Sequence, residues 1–237
     1  MVQFHELWQG GPIFAQAEHF KLGTDCVLLS DFVNISSARR GIDLGCASGA
    51  IALLLLCRST KLRMTGLEIQ PEAAELAGLN MEKNGLSDRA EIITGDIREH
   101  RRLFHSGYFD LVVSNPPYFP LGSGLLSPDS DRASARAETN CSLTDICTAA
   151  SFLLRTGGSF SLVHRPERLC EIFSAMCRGG IEPKRLRLVC HSPDKAPCLV
   201  LVEGRRGGKA GLKIEAPLYL NDAGGGESEE FRRIYHR

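Results

Sequence analysis

Asn115-Pro116-Pro117-Tyr118 is the segment of this chain best suited to chemistry. It follows Phe109-Asp110-Leu111-Val112-Val113-Ser114, an apolar run that reads as a buried strand. The prolines fix their own φ and bias Asn115 towards extended backbone. Pro116 has no N–H, so its carbonyl accepts without a competing donor. A rigid turn of this kind at the carboxyl end of a strand suits holding a planar amino group while it attacks an electrophile. An adenine N6, a cytosine N4 and an amide nitrogen all fit. A Pro-rich turn with a structural Tyr is the alternative.

Three further segments end strands in residues able to bind a nucleotide. Gly41-Ile42-Asp43-Leu44-Gly45-Cys46-Ala47-Ser48-Gly49 runs from a short apolar strand into an apolar helix. Strand, glycine-rich turn and helix make the local geometry of a nucleotide pocket at a sheet's carboxyl edge. Gly45 and Gly49 allow close backbone approach to a ligand, although tight packing of such a turn uses glycine too. Thr65-Gly66-Leu67-Glu68-Ile69-Gln70-Pro71 ends a strand in Glu68, placed to accept from ribose hydroxyls. Pro71 then opens a helix at its favoured first position. Ala90 to Ile97 ends a strand in Gly95-Asp96, where an acid can accept from an adenine amino group with Ile97 against the ring. Each acid taken singly also fits a helix cap or a solvated loop.

The order and spacing of these segments resemble the class I S-adenosylmethionine-dependent methyltransferases over nearly the whole chain. The resemblance implies a Rossmann-like α/β fold, with S-adenosylmethionine as cofactor and S-adenosylhomocysteine as product. It implies that the turn with Asp43, Gly45, Ala47 and Gly49 holds the methionine part, that Glu68 takes the ribose and that Asp96 takes the adenine. Ile69, Ile97 and Asp25 join the cofactor set. Asn115, Pro116, Pro117 and Tyr118 would hold the amino group to be methylated, and Asn115 belongs to both sets. Ala47 departs from the glycine that many members carry.

Flanking residues narrow the resemblance. Phe20-Lys21-Leu22-Gly23-Thr24-Asp25-Cys26 precedes the first strand of the alternating series. Phe119, Ser127-Pro128, Ala135-Arg136-Ala137-Glu138 and Arg155-Thr156-Gly157-Gly158 follow the amino-group motif. Together they look like the bacterial methyltransferases that modify N6 of adenine 37 in valine tRNA, and their close unassigned relatives. Ala137 stands where many of these have His. The implied activity is N6-methylation of an adenine in RNA, adenine 37 of a tRNA anticodon loop being the expected target. Protein-glutamine methyltransferases share Asn-Pro-Pro-Tyr, but they usually carry an extra N-terminal helical domain, and only 42 residues precede Asp43 here. Ribosomal guanine-N2 methyltransferases are a further alternative, commonly with Phe in the fourth place. A non-catalytic RNA- or cofactor-binding protein on the same fold is the alternative of another class.

The elements that position these residues alternate. Strands are expected near 41–45, 63–68, 90–94, 109–114, 158–164, 185–191 and 197–203. Helices are expected near 24–33, 49–58, 72–84, 142–155 and 166–178, with Thr24 as an N-cap. This rhythm predicts a mostly parallel seven-stranded sheet with helices on both faces. The short connection Ser192 to Pro197 makes the last strand antiparallel. Residues 115–140 form a long loop of the kind that is usually functional or disordered.

A chain of 237 residues, 43% of them hydrophobic, suits one domain spanning 1–237. Within it, 1–40 reads as an N-terminal extension with a helix, and 205–237 as a C-terminal extension that is partly mobile. Formal charge is zero overall but uneven: −5 over 1–150, +7 over 151–213 and −2 beyond. That asymmetry points to a polyanionic partner, with Arg136, Arg205, Arg206 and Lys209 as candidate RNA contacts, or to a solvated surface that the other half neutralises. The nine cysteines form no Cys-x-x-Cys pair and the seven histidines show no ligand spacing. A reducing, cytoplasmic setting without metal or disulfide framework is expected. Neither a membrane span nor a signal peptide is legible, and nothing in the sequence sets an oligomeric state.

Overall fold

Along β6 (Phe109–Ser114), Leu111 and Val113 face one core while Phe109 and Val112 face another. The same alternation runs through β9 (Pro197–Arg206), with Leu199 and Leu201 on one face and Val200 and Val202 on the other. Successive side chains on a strand point to opposite faces, so a sheet covered on both sides reads as a continuous apolar run. This is a computed structural model of the chain, and it describes residues 3–15, 22–117 and 141–237. Phe20, Lys21, Tyr118, Phe119, Arg136 and the rest of the 118–140 segment lie outside the described residues.

The first face is covered by α1 (Thr24–Phe32), α2 (Ala50–Arg58) and α3 (Pro71–Lys83). α2 is buried on every side from Ala50 to Leu56, because its Ile-Ala-Leu-Leu-Leu-Leu run has no polar stripe. The second face is covered by α5 (Leu143–Leu153) and α6 (Leu169–Arg178), with α4 (His100–Leu103) at one side. A capping box between Ser142 and Asp145 starts α5.

The sheet also contains β3 (Arg40–Leu44), β4 (Arg63–Glu68), β5 (Ala90–Thr94), β7 (Leu154–His164) and β8 (Ile181–Cys190). Its order runs β5-β4-β3-β6-β7-β9-β8. All neighbouring pairs are parallel except the two made by β9, which is the reversal expected from its short connection. Two short strands extend the expected seven: β10 (Lys213–Ile214) and β11 (Leu218–Tyr219) both pair with β8, giving nine.

Two details differ from the sequence reading. The N-terminal extension, read only as carrying a helix, also contains an antiparallel hairpin of β1 (Phe4–Glu6) and β2 (Ile13–Ala15). Gly23, not Thr24, is the N-cap of α1, and no side chain caps that end. The C-terminal extension holds a turn and a short helix. Asp222 gathers the amides of Gly224 and Gly226, Asn221 bridges to Glu227, and α7 (Glu229–Ile234) buries Ile234.

Candidate active site

Four adjacent strands bring the predicted residues to one edge. β5, β4, β3 and β6 are consecutive in the sheet, and their carboxyl ends carry Asp96, Glu68, Asp43 and Asn115 respectively. Neighbouring strands lie about 4.8 Å apart, so the row extends for roughly 15 Å. The chain winds one way from β3 through β4 and β5, then returns to place β6 on the other side of β3. That reversal opens a crevice at the strand ends, where open α/β sheets bind ligands.

Asp43 is fully buried, and neither carboxylate oxygen has a hydrogen-bond partner among the described residues. Burial, reinforced by the neighbouring Glu68 charge, pushes its carboxyl up to about 8; the facing Ala52 amide offsets this only slightly. In the native protein this acid therefore stays protonated up to about pH 8, whereas an unfolded chain ionises it near 3.9. Unfolding between those values releases a proton, so this group makes stability fall as pH rises from about 4 to about 8. Asp43→Asn, which cannot ionise, should gain in melting temperature relative to the wild type across that window. Melting curves that run parallel from about pH 5 to about pH 8 would remove Asp43 as the titrating group.

Glu68 joins β4 to the glycine turn. Its Oε2 accepts the Ala47 N–H at 2.8 Å and its Oε1 accepts the Gln70 N–H at 2.9 Å. Ala47 has φ +46°, in the left-handed region that costs an L-residue about 1–2 kcal/mol. The carboxylate bond offsets part of that cost, which is how the turn tolerates alanine there. Gly45, at φ +76°, has open space where a side chain would begin. Gly49 is different. At φ +82° its added Cβ would stand 3.0 Å from Met81 and 3.1 Å from Ala77, so packing against α3 also demands glycine.

Asp96 reaches the same edge but is committed to Arg98. Its Oδ1 accepts from the Arg98 backbone N–H and Nε, and its Oδ2 from Nε and Nη2. Three N–H groups make these contacts, the Nε–H being shared between both oxygens, and they take most of the carboxylate's acceptor positions. They also hold its carboxyl below the usual range. A ligand amino group would share the carboxylate with Arg98. Ile97 packs against the second core, whereas Ile69, beside Glu68, is 39% exposed. Asp25 lies in the first turn of α1, with its carboxylate folded over Gly23.

Asn115 follows directly on Ser114, whose hydroxyl donates to the Leu44 carbonyl at 2.8 Å and ties the ends of β6 and β3 together. Asn115 Nδ2 donates to Cys26 Sγ at 3.2 Å. Burial pushes the Cys26 thiol up to about 12, so it accepts as a neutral group. That contact turns Nδ2 towards α1 and Oδ1 the opposite way. Pro116 is buried and Pro117 half-buried. His164 ends β7 on the neighbouring strand, and burial lowers it to about 4, leaving a neutral imidazole whose Nδ1 accepts the Arg165 N–H at 2.7 Å.

Two contributors escape sequence reasoning. Cys26 reads from sequence only as a thiol in an apolar helix. Asn80 is completely buried on α3; its Oδ1 accepts from the Ala15 N–H, and its Nδ2 donates to the carbonyls of Ala15 and Ser48. One side-chain amide thus pins the N-terminal hairpin to the glycine turn.

The methyltransferase small-domain family model matches residues 7–173 of the chain. The chain belongs to that family. It is an S-adenosylmethionine-dependent methyltransferase on a Rossmann-like fold. A tRNA1(Val) (adenine(37)-N6)-methyltransferase of Porphyromonas gingivalis is 36% identical over 191 residues, which cover 78% of this chain and 74% of the relative. The enzyme of the same name from Bacteroides fragilis is 32% identical over 182 residues, covering 77% and 76%. Among solved structures, a predicted O-methyltransferase from Agrobacterium tumefaciens superimposes with a TM-score of 0.74 at 25% identity, covering 90% of this chain and 96% of that one.

The edge of this methyltransferase fits its cofactor. A buried carboxyl group (Asp43) with no hydrogen-bond partner among the described residues, open space at a left-handed glycine (Gly45) and an exposed isoleucine beside a carboxylate (Ile69 and Glu68) offer polar and apolar contacts at one sheet edge. Arg205, Arg206 and Lys209 do not belong there. β9 runs antiparallel to β7 and pairs Arg205 with Ser159, so the 205–209 segment leaves the sheet at the edge opposite Asn115. Much of the basic block is neutralised within the chain. Arg155, Arg168, Arg185, Arg187 and Lys195 all form ion pairs with acidic residues. Among the described residues no His, Cys, Asp or Glu cluster could hold a metal, and no helix is long and apolar enough to cross a membrane.

Proposed function

We propose that this methyltransferase methylates N6 of an adenine in RNA, adenine 37 of a tRNA anticodon loop, in the cytoplasm. The observation that carries the reading is Asn115 at the end of β6, its amide oriented by Cys26 on the edge it shares with Asp43 and Glu68. The two named tRNA enzymes, each matched over about three quarters of its length, support the same substrate.

Bound S-adenosylmethionine supplies a methyl group already activated on a sulfonium. The chain's part is alignment, because the adenine amino lone pair is delocalised into the ring and attacks poorly. Asn115 Oδ1 and the Pro116 carbonyl would accept the two amino hydrogens. They would aim the lone pair and stabilise the positive charge that develops on nitrogen. Tyr118, by its place in the motif, would stack on the base, a contact worth about 1–3 kcal/mol in comparable cases. Proton loss follows transfer and needs no strong base; neutral His164 is not one. An unpaired loop base also costs less to extrude than one in a duplex.

The test is incubation with total tRNA from a strain lacking the gene, followed by nucleoside mass spectrometry. N6-methyladenosine should rise with added protein and S-adenosylmethionine. Methylation of another nucleoside, or none, would overturn the substrate assignment.

A further inference from the structure

Arg101, Arg178, Lys184, Arg205, Arg206 and Lys209 are six of the cations remote from Asn115 that have no carboxylate within 4 Å among the described residues. The ion pairs that neutralise much of the basic block leave these out. Glu182 faces Arg205 across the β8–β9 ladder but forms no ion pair with it. Uncompensated like charges concentrated on one edge create a field that attracts polyanions.

Three of the six line one groove. It has a volume of about 640 Å³ and lies between α4, α5, the end of α6 and the end of β9. Arg101, Arg178 and Arg206 share its walls with the hydroxyls of Thr144, Thr148 and Ser106. The Arg101 guanidinium sits over the Phe152 ring, 4.7 Å from its centroid, a cation–π contact that positions the fork. Arg178 Nη2 lies 3.5 Å from Thr144 Oγ1. Arg206 donates to the carbonyls of Leu154 and Phe152 at the end of α5. That spends only part of its five donors. Planar forks beside small hydroxyls are phosphate-recognition chemistry.

We propose that this groove binds phosphodiester groups of the RNA substrate that flank the target nucleotide. The proposal rests on the RNA reading above. Leu154, whose carbonyl accepts from Arg206 at one end of the groove, pairs with Phe109, and Asn115 lies six residues further along the chain from Phe109. At about 3.3 Å per residue that Arg206 end of the groove is roughly 20 Å from the amino-group site, too far for the target nucleotide's own phosphate. The groove therefore takes backbone from a neighbouring part of the same RNA and supplies affinity without reading bases. Of the three cations expected from sequence to meet RNA at the C-terminal end, Arg206 lies in the groove and Arg205 and Lys209 on the same edge.

The test pairs equilibrium binding of a tRNA across salt concentrations with methylation by the same proteins. The double variant R101A/R178A alters two exposed side chains and should fold normally. It should bind tRNA about tenfold or more weakly at moderate salt, and its salt slope should drop by about 2, one for each phosphate no longer neutralised. Its affinity for S-adenosylmethionine and its activity on an oligonucleotide comprising only the target loop should match the wild type. R206K, which keeps the charge and can still reach the α5 carbonyls, should weaken tRNA binding less than the double variant. Unchanged tRNA affinity and slope in R101A/R178A, with wild-type methylation intact, would overturn the groove and leave the substrate reading standing. Loss of RNA binding in R101A/R178A alongside a wild type that methylates no tRNA would uphold the groove and overturn the substrate reading.

Discussion

Asn115→Ala should stop methyl transfer while S-adenosylmethionine still binds. The side chain makes one contact with α1, at Cys26, and on this account one with the substrate amine. Its loss removes a preorganised acceptor at a centre that becomes positive in the transition state. Deleting a single oxyanion-hole donor, the mirror case, costs about 100- to 1,000-fold, and a loss on the order of 100-fold or more is expected here. Cys26→Ala should cost less, since it frees the amide to rotate without removing it. Single-turnover rates on unmodified tRNA, with cofactor affinity measured alongside, check both. An Asn115→Ala enzyme turning over at near-wild-type rate would return the Asn-Pro-Pro turn to a structural role.

Glu68→Ala should have its largest effect one step earlier, on cofactor binding. Its carboxylate is buried at 6% exposure and brackets two backbone amides, one of which holds Ala47 in its left-handed conformation. Truncation removes a charged acceptor from the crevice and also unfastens the glycine turn. Hydrogen bonds to charged groups are worth about 1.5–3 kcal/mol, so S-adenosylmethionine should bind roughly 10- to 150-fold more weakly. Glu68→Gln keeps an oxygen able to accept the Ala47 N–H and should recover part of that loss. Calorimetry giving wild-type affinity for the alanine variant would refute the ribose-side assignment.

The strand ends were legible because chemistry and hydrophobicity change at the same residue. Leu111-Val112-Val113 gives way to Asn115, and Leu67 to Glu68, so one pattern marks both the element and the site. The reversed β9 was legible from a connection too short for a crossover. What escaped depends on contacts far apart in sequence. Asn80 on an amphipathic helix looks like a solvent-facing amide until a hairpin 65 residues earlier covers it. Two- and three-residue strands such as β10 and β1 carry no period to detect. The Arg205–Lys209 cluster has the composition of an RNA contact, but composition does not say which edge a strand leaves by. Asp96 was readable as either ligand or cap, and the neighbour two residues on, Arg98, takes most of its acceptor positions.

The central claim, transfer of a methyl group to N6 of adenine 37, is tested most directly with two unmodified tRNA transcripts. One carries adenine at position 37 and the other guanine there. Each is incubated with the protein and S-adenosylmethionine, cut into fragments and sequenced by mass spectrometry. The account predicts a single added methyl, on N6 of adenine 37 in the first transcript, and none in the second. A methyl group at another position, or equal methylation of both transcripts, would contradict it.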